Sequence, residues 1–143
     1  NKHGKLLRLG LYNMEKSAND GMALNEAAVQ HMASVASNQP LDTVKYYNME
    51  LATESPDFYP LQTALLNEMI YFTGSYPLYH STLYSNDVFK NTFIAKSNER
   101  AYLQIEKNFD LIYNYETLLS KQVYNLSLCS EEYKSINRRI KNK

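Results

Sequence analysis

Residues 22–37 read MALNEAAVQHMASVAS. Small and apolar residues fall on nearly every side of the helix that this composition predicts. Glu26 is its only formally charged side chain, and His31 is the only other one that titrates near neutrality. A helix without a solvated polar face is normally buried, so other elements must pack around this one. A lone carboxylate within such a helix is costly unless a metal, a cation or a hydrogen-bond network compensates it. Ser17 to Gly21 (SANDG) forms the loop before the helix, with residues that tolerate left-handed turns. Asn38-Gln39-Pro40 ends it, because proline biases the residue before it away from helix.

Working outward, Lys5 to Tyr12 (KLLRLGLY) reads as an edge strand or an extended arm. Leu41 to Ser55 is ambiguous: Tyr47, Met49 and Leu51 alternate as in a strand, while Val44, Tyr47 and Leu51 fit one helical face, and the balance leans to helix. Ser55-Pro56-Asp57 closes that segment. Pro60 suits a first helical turn, and Leu61, Leu65, Met69 and Phe72 recur at helical spacing up to Gly74. Ser75 to Tyr84 (SYPLYHSTLY) reads as a polar-aromatic connector, after which Ser85 caps a helix carrying Phe89 and Phe93. Ser97 or Asn98 caps the longest helix, where Tyr102, Ile105, Phe109, Ile112 and Leu119 form a stripe opposite Gln104, Lys107 and Asn114. A last helix over 130–141 places Glu131 and Glu132 in its first turn and Arg138, Arg139 and Lys141 in its last, in the order that complements the helix dipole. Tyr133, Ile136 and Ile140 supply its docking stripe. The expectation is an all-α or nearly all-α domain over residues 1–143, an irregular bundle with a short N-terminal strand or arm.

Composition narrows the function classes. The chain has 143 residues, enough to bury a real core, and its 15 basic and 15 acidic side chains cancel. No global field therefore argues for nucleic acid or an anionic membrane surface. Thirteen tyrosines stand against five phenylalanines and no tryptophan, and tyrosine suits semi-exposed grooves as well as core edges. Cys129, the single cysteine, excludes an internal disulfide and a cysteine-rich zinc module. No apolar run approaches the roughly 18 residues that span a bilayer. The chain opens Asn1-Lys2-His3-Gly4 with no initiator Met and no signal peptide, which reads as an internal boundary with a region upstream.

Few motifs carry chemistry. Two readings of Glu26 stand: an acid that compensates the helix dipole, paired with Lys5 or Arg8, or a metal ligand, since a carboxylate oxygen is a normal third ligand for catalytic zinc. His31 lies five residues on, roughly 140° around the helix, so the two are badly placed to share one ion. His31 shares a stripe with Leu24, Ala28 and Val35 and reads as a packed, hydrogen-bonded histidine. The zinc-peptidase signature His-Glu-x-x-His is absent, as are a phosphate-cradling glycine loop and the Gly-x-Ser-x-Gly elbow. Arg138 to Lys143 reads as a solvated helix end, and Asn125-Leu126-Ser127 is a formal glycosylation acceptor. Tyr71, Tyr76, Tyr79, His80 and Tyr84 surround Pro77 in a segment able to line a cleft and to donate hydrogen bonds to a carbonyl or developing oxyanion.

Gly21 to Gln30 (GMALNEAAVQ) resembles zinc metallopeptidases of the gluzincin kind. In those enzymes an Asn-Glu-Ala type segment on a helix supplies the third zinc ligand, beside an upstream helix bearing His-Glu-x-x-His. The order RLGLY, loop, Gly, LNEA and a helical C-terminal lobe looks like the latter part of such a catalytic domain. The resemblance implies that Glu26 is the zinc ligand, with Asn25 at the preceding motif position. It also implies that a His or Tyr of the C-terminal lobe stabilises the tetrahedral intermediate, for which His80 and Tyr79 are placed by location, with Tyr76 and Tyr84 beside them for substrate. The two histidines and the general-base glutamate of the family are not in this chain. The expected function is thus the C-terminal helical lobe of a peptide-hydrolysing enzyme that holds zinc in the intact parent and is inactive by itself, with a peptide or protein as substrate. Its compartment leans extracytoplasmic only through that resemblance. The alternative is a non-enzymatic helical module that binds a protein or peptide, and a third option is a sugar or small-molecule pocket lined by tyrosines.

Overall fold

In the computed structural model, the backbone is described for residues 8–14, 21–46 and 48–141, and side chains within those ranges up to residue 122. The elements run β1 (Arg8–Leu9), β2 (Tyr12–Asn13), α1 (Met22–Ala36), β3 (Asp42–Tyr46), β4 (Met49–Thr53), α2 (Pro60–Thr73), α3 (Ser75–Tyr84), α4 (Val88–Lys96) and α5 (Glu99–Lys141). The fold is mostly helical, with two short antiparallel hairpins among the described residues, one of them the N-terminal arm. Two compact units divide it, residues 1–110 and residues 111–143. No helix among the described residues is long and apolar enough to cross a membrane.

Helix α1 lies at the centre of the first unit. Ala23, Leu24, Ala27 and Ala28 are buried, and α1 packs on α2, α3 and the N-terminal arm. Small residues allow that close approach. The rest of the core comes from Leu61, Ala64, Leu66 and Met69 of α2, Leu78 of α3, Phe89 and Phe93 of α4, and Tyr102 and Phe109 of α5. Burial first, and then Glu106, push the Tyr102 hydroxyl well above the usual phenol range, so this tyrosine is a neutral core residue.

Two carboxylate oxygens of α5 hold the start of α1. The Gly21 and Ala23 N–H groups donate to Asp110 Oδ2 and Oδ1 at 2.7 and 2.9 Å. These amides have no partner within the helix, and an anion at that end also meets the positive pole of its dipole. Gly21 is favoured by its φ of 85°, and a β-carbon there would in addition make the Glu106 carboxylate, 2.8 Å away, shift. The arm is fastened to the same helix, because the Leu11 N–H donates to Asn25 Oδ1 at 2.9 Å.

The structure departs from the sequence reading in three places. Residues 41–55, which lean to helix by pattern, form the β3–β4 hairpin with Val44 opposite Leu51 and Tyr46 opposite Met49. Thr43, Val44 and Tyr46 favour the pleated surface, and the half-buried Val44–Leu51 pair faces α2. The connector over 75–84 is the helix α3. Gly74, at φ 80° and ψ 161°, stops α2 and restarts a helix at once, and Pro77 falls in the first turn, where its missing N–H breaks no bond. The separate helix over 130–141 is the end of α5, whose backbone is helical throughout Glu99–Lys141.

Smaller differences concern faces and caps. On α2, Leu66 is buried and Phe72 exposed, so the inward face is rotated from the Leu61–Phe72 stripe. Ser85 ends α3 and accepts from the Gly10 N–H at 2.9 Å, while Ser81 and Asn86 accept from the first amides of α4. Asn98 caps α5 through the Ala101 N–H at 2.8 Å. Leu119, with Leu111, Tyr115 and Leu118, is exposed in the second unit. The loop residues 17–20 lie outside the described residues, as do the side chains of Asn125, Cys129 and the 130–141 stripe.

The Asp110 clamp gives a stability prediction. Asp110→Ala leaves two amides without their charged acceptor and is expected to lower unfolding free energy by about 2 kcal/mol. Asp110→Asn, which keeps one acceptor oxygen, is expected to lose about half of that. Urea denaturation followed by circular dichroism measures both; an unaffected Asp110→Ala variant would show that the clamp contributes nothing.

Candidate functional site

Four elements bring their polar side chains together beside α1. His31 sits in the third turn of α1, Glu54 directly follows β4, Asn67 is on α2 and Tyr79 on α3. His31 and Glu54 are both buried, and His31 Nδ1 is hydrogen-bonded to Glu54 Oε1. The Asn67 side-chain amide donates to Glu54 Oε2 at 2.8 Å, so both oxygens of this buried acid are engaged. Tyr79 Oη lies 3.4 Å from His31 Nε2, and the two rings are 6.0 Å apart.

Local structure aims Glu54 inward. Thr53 and Thr63 hydroxyls are 2.6 Å apart, and the Ser55 N–H donates to Thr53 Oγ1 at 3.1 Å. These bonds pin the end of β4 to the first turn of α2 and turn the residue between Thr53 and Ser55 inward. Next to the acid is a polar cleft of about 230 Å³, lined by Gln30, Ser34, Ser37, Glu54, Ser55 and Asp57 among others.

The proton arrangement follows from donor and acceptor chemistry. An ionised carboxylate only accepts, so Nδ1 carries the ring proton. A neutral ring then presents the Nε2 lone pair, and the Tyr79 hydroxyl is the donor toward it. His80 is set differently: its Nδ1 accepts from the Asn86 amide at 3.0 Å, so a neutral ring carries its proton on Nε2.

The remaining sequence candidates fall on two surfaces. Tyr76, His80 and Tyr84 form a column along α3, with ring centroids 5.6 and 4.9 Å apart, and both tyrosines are 70% exposed. Tyr79 is half-buried on another side of that helix. Glu26 is half-buried on α1 and has no hydrogen-bond or ion-pair partner among the described residues. Arg8, one of the cations considered for it, pairs instead with Asp87 at 2.8 Å and donates to the Asn86 carbonyl at 2.9 Å. Lys5, the other, lies outside the described residues.

Glu54 and Asn67 escaped the sequence reading. Glu54 sits in an ordinary turn sequence, Glu-Ser-Pro-Asp, and its partner is 23 residues away. The available signal was His31 itself, since a histidine on an apolar stripe needs a buried partner.

The pair predicts an inversion of sign. His31→Leu leaves a buried carboxylate held only by Asn67 and is expected to cost about 3 kcal/mol. Glu54→Gln, which keeps an acceptor for Nδ1, is expected to cost about 1 kcal/mol in the native chain yet to stabilise the His31→Leu chain. Denaturation of the two single variants and the double variant measures this; additive losses would contradict it.

No family model, no curated protein and no solved structure matches this chain.

Proposed function

We propose that this chain is the C-terminal helical lobe of a zinc peptidase, inactive alone, in which Glu26 is a metal ligand of the intact protein. The supporting observation is the uncovered face of α1. Met22, Glu26, Val29 and Ala33 follow one another at helical spacing, and Val29 is 49% exposed. Besides the half-buried Gln30, the one polar group of this face is a carboxylate without a partner among the described residues. Such a face suits an apolar helix packed across it, with Glu26 directed at a cation between the two. Asn25, turned inward to the arm, fixes the rotation of the helix that presents Glu26 outward.

The donor set fits one ligand position and no more. Among the described residues no three His, Cys, Asp or Glu side chains gather at one point, so the other donors for a zinc held by Glu26 come from outside these residues. When bound, zinc supplies an activated water and polarises the scissile carbonyl. His80, with Tyr76 and Tyr84 beside it, lies on the α3 surface and is given no part at the Glu26 metal position.

A second reading, a non-catalytic module for a protein or peptide partner, draws support from exposed aromatic and aliphatic surface at the end of α2 and along α3: Tyr71, Phe72, Tyr76, Leu83 and Tyr84. Zinc separates the two readings. The product of the complete reading frame is expected to hold one zinc and to cleave a fluorogenic peptide library. Glu26→Gln is expected to lower kcat/KM by about 10³-fold at unchanged Tm, as loss of a metal ligand requires. A complete product that holds no zinc, or a Glu26→Gln variant with native activity, overturns the peptidase reading and leaves the interaction module.

A further inference from the structure

We infer that Glu54, His31 and Tyr79 form an acyl-accepting relay in which the Tyr79 hydroxyl is the nucleophile and small activated esters are the substrate class. The three groups stand in the order that nucleophilic catalysis needs: an orienting carboxylate, an imidazole base and a hydroxyl at the far ring nitrogen. Roles are recognised by such geometry and not by position along the chain. Here the three come from the β4–α2 turn, α1 and α3.

Burial assigns the same roles independently. Glu54 and His31 are buried, whereas Tyr79 is half-exposed, so the phenol is the member that meets a solute. Asn67 holds the second oxygen of Glu54 and keeps the acid aligned on Nδ1, which fixes the ring's tautomer. The 3.4 Å between Tyr79 Oη and Nε2 is at the long end of hydrogen-bond reach, and such contacts tighten once a substrate is bound. No other tyrosine hydroxyl among the described residues is hydrogen-bonded to an imidazole nitrogen whose opposite nitrogen is held by an acid.

The step balances within the relay and the ester. The Tyr79 oxygen attacks the acyl carbon and forms a new C–O bond. The carbonyl–leaving-group bond breaks, and its electron pair departs with the leaving oxygen. The Tyr79 proton moves to His31 Nε2, while the Nδ1 proton stays in its bond to Glu54. The products are an O-acyl tyrosine and an alkoxide or phenoxide, and the Nε2 proton then passes to that leaving group or to water. No metal takes part, so the relay does not rest on the peptidase reading.

The test treats the chain with p-nitrophenyl acetate at neutral pH in excess chelator, following nitrophenolate release and mapping acetyl groups by peptide mass spectrometry. Tyr79 is expected to be acetylated about a hundredfold faster than the more exposed Tyr71 and Tyr115, with close to one equivalent of nitrophenolate in the fast phase. Tyr79→Phe removes that phase. Glu54→Gln, which keeps the site's shape, is expected to slow it at least tenfold while helical circular dichroism is retained. His31→Gln is expected to slow it further, and Glu54→Gln decides the matter if that variant does not fold. Acetylation of Tyr79 at the rate of Tyr71, a fast phase carried by another residue, or a folded Glu54→Gln variant with the native rate overturns the inference. The peptidase reading is tested apart from this, by the zinc content and activity of the complete product, because the Tyr79 reaction is measured without metal.

Discussion

The first unit depends on one buried acid having every oxygen satisfied. Glu54 enters the interior at the junction of the second hairpin and α2, where a bare carboxylate costs several kcal/mol. It is tolerated because α1 brings His31 to one oxygen and α2 brings Asn67 to the other. That requirement joins three parts of the chain that share no apolar repeat. The hairpin has a half-buried face of only a few residues and would hold weakly by packing alone. The threonine pair and the acid it positions tie it down. The same network sets the height and rotation of α1, and α1 is the element on which the arm, α2 and α3 all rest.

Rotation matters because α1 has two unlike faces with little difference in composition. Leu24, Ala27, Ala28 and His31 turn inward, and Asn25 accepts the arm's Leu11 amide. Turning those residues in forces Glu26, Val29 and Ala33 out, since residues three and four apart share a side. The outward set is nearly as apolar as the inward one. Ordinary surface helices put charges there, and this one puts a single carboxylate. The Asp110 clamp at the N-terminus prevents the helix from relieving the mismatch by rolling or fraying. The exposed apolar strip is therefore built into the fold.

What the sequence disclosed follows from the range of the forces involved. The buried character of α1, the stops at Pro40 and Gly74, the start at Pro60 and the Tyr102–Phe109 stripe are local, written in periodicity and in the backbone restrictions of proline and glycine. The hairpin over 42–53 was not legible because Val44 and Leu51 are compatible with either period, and only pairing across the turn decides between them. Residues 75–84 looked like a loop because Gly74 and Pro77 punctuate them, yet proline in a first turn is harmless to a helix. Of the site, His31 was visible as a histidine needing a partner. Glu54 and Asn67 were not, because a contact across 23 residues leaves no trace in local pattern.

Two carboxylates now carry different meanings although both lie against α1. Glu54 has a full set of donors and a fixed geometry, so its charge is spent on orienting His31 and, through it, Tyr79. Glu26 has none among the described residues and is half-buried beside the exposed Val29. A satisfied buried acid can act as a positioning device, whereas a half-buried one without a partner is left to solvent or to a group from outside the described residues. The roughly 140° between Glu26 and His31 around α1 keeps the two functions apart. Glu26 lies on the outward side of the helix, while the hydrogen bonds that link Glu54, His31 and Tyr79 lie on the inward side. The rotation of α1 thus puts its two titratable side chains on different faces, His31 inward and Glu26 outward.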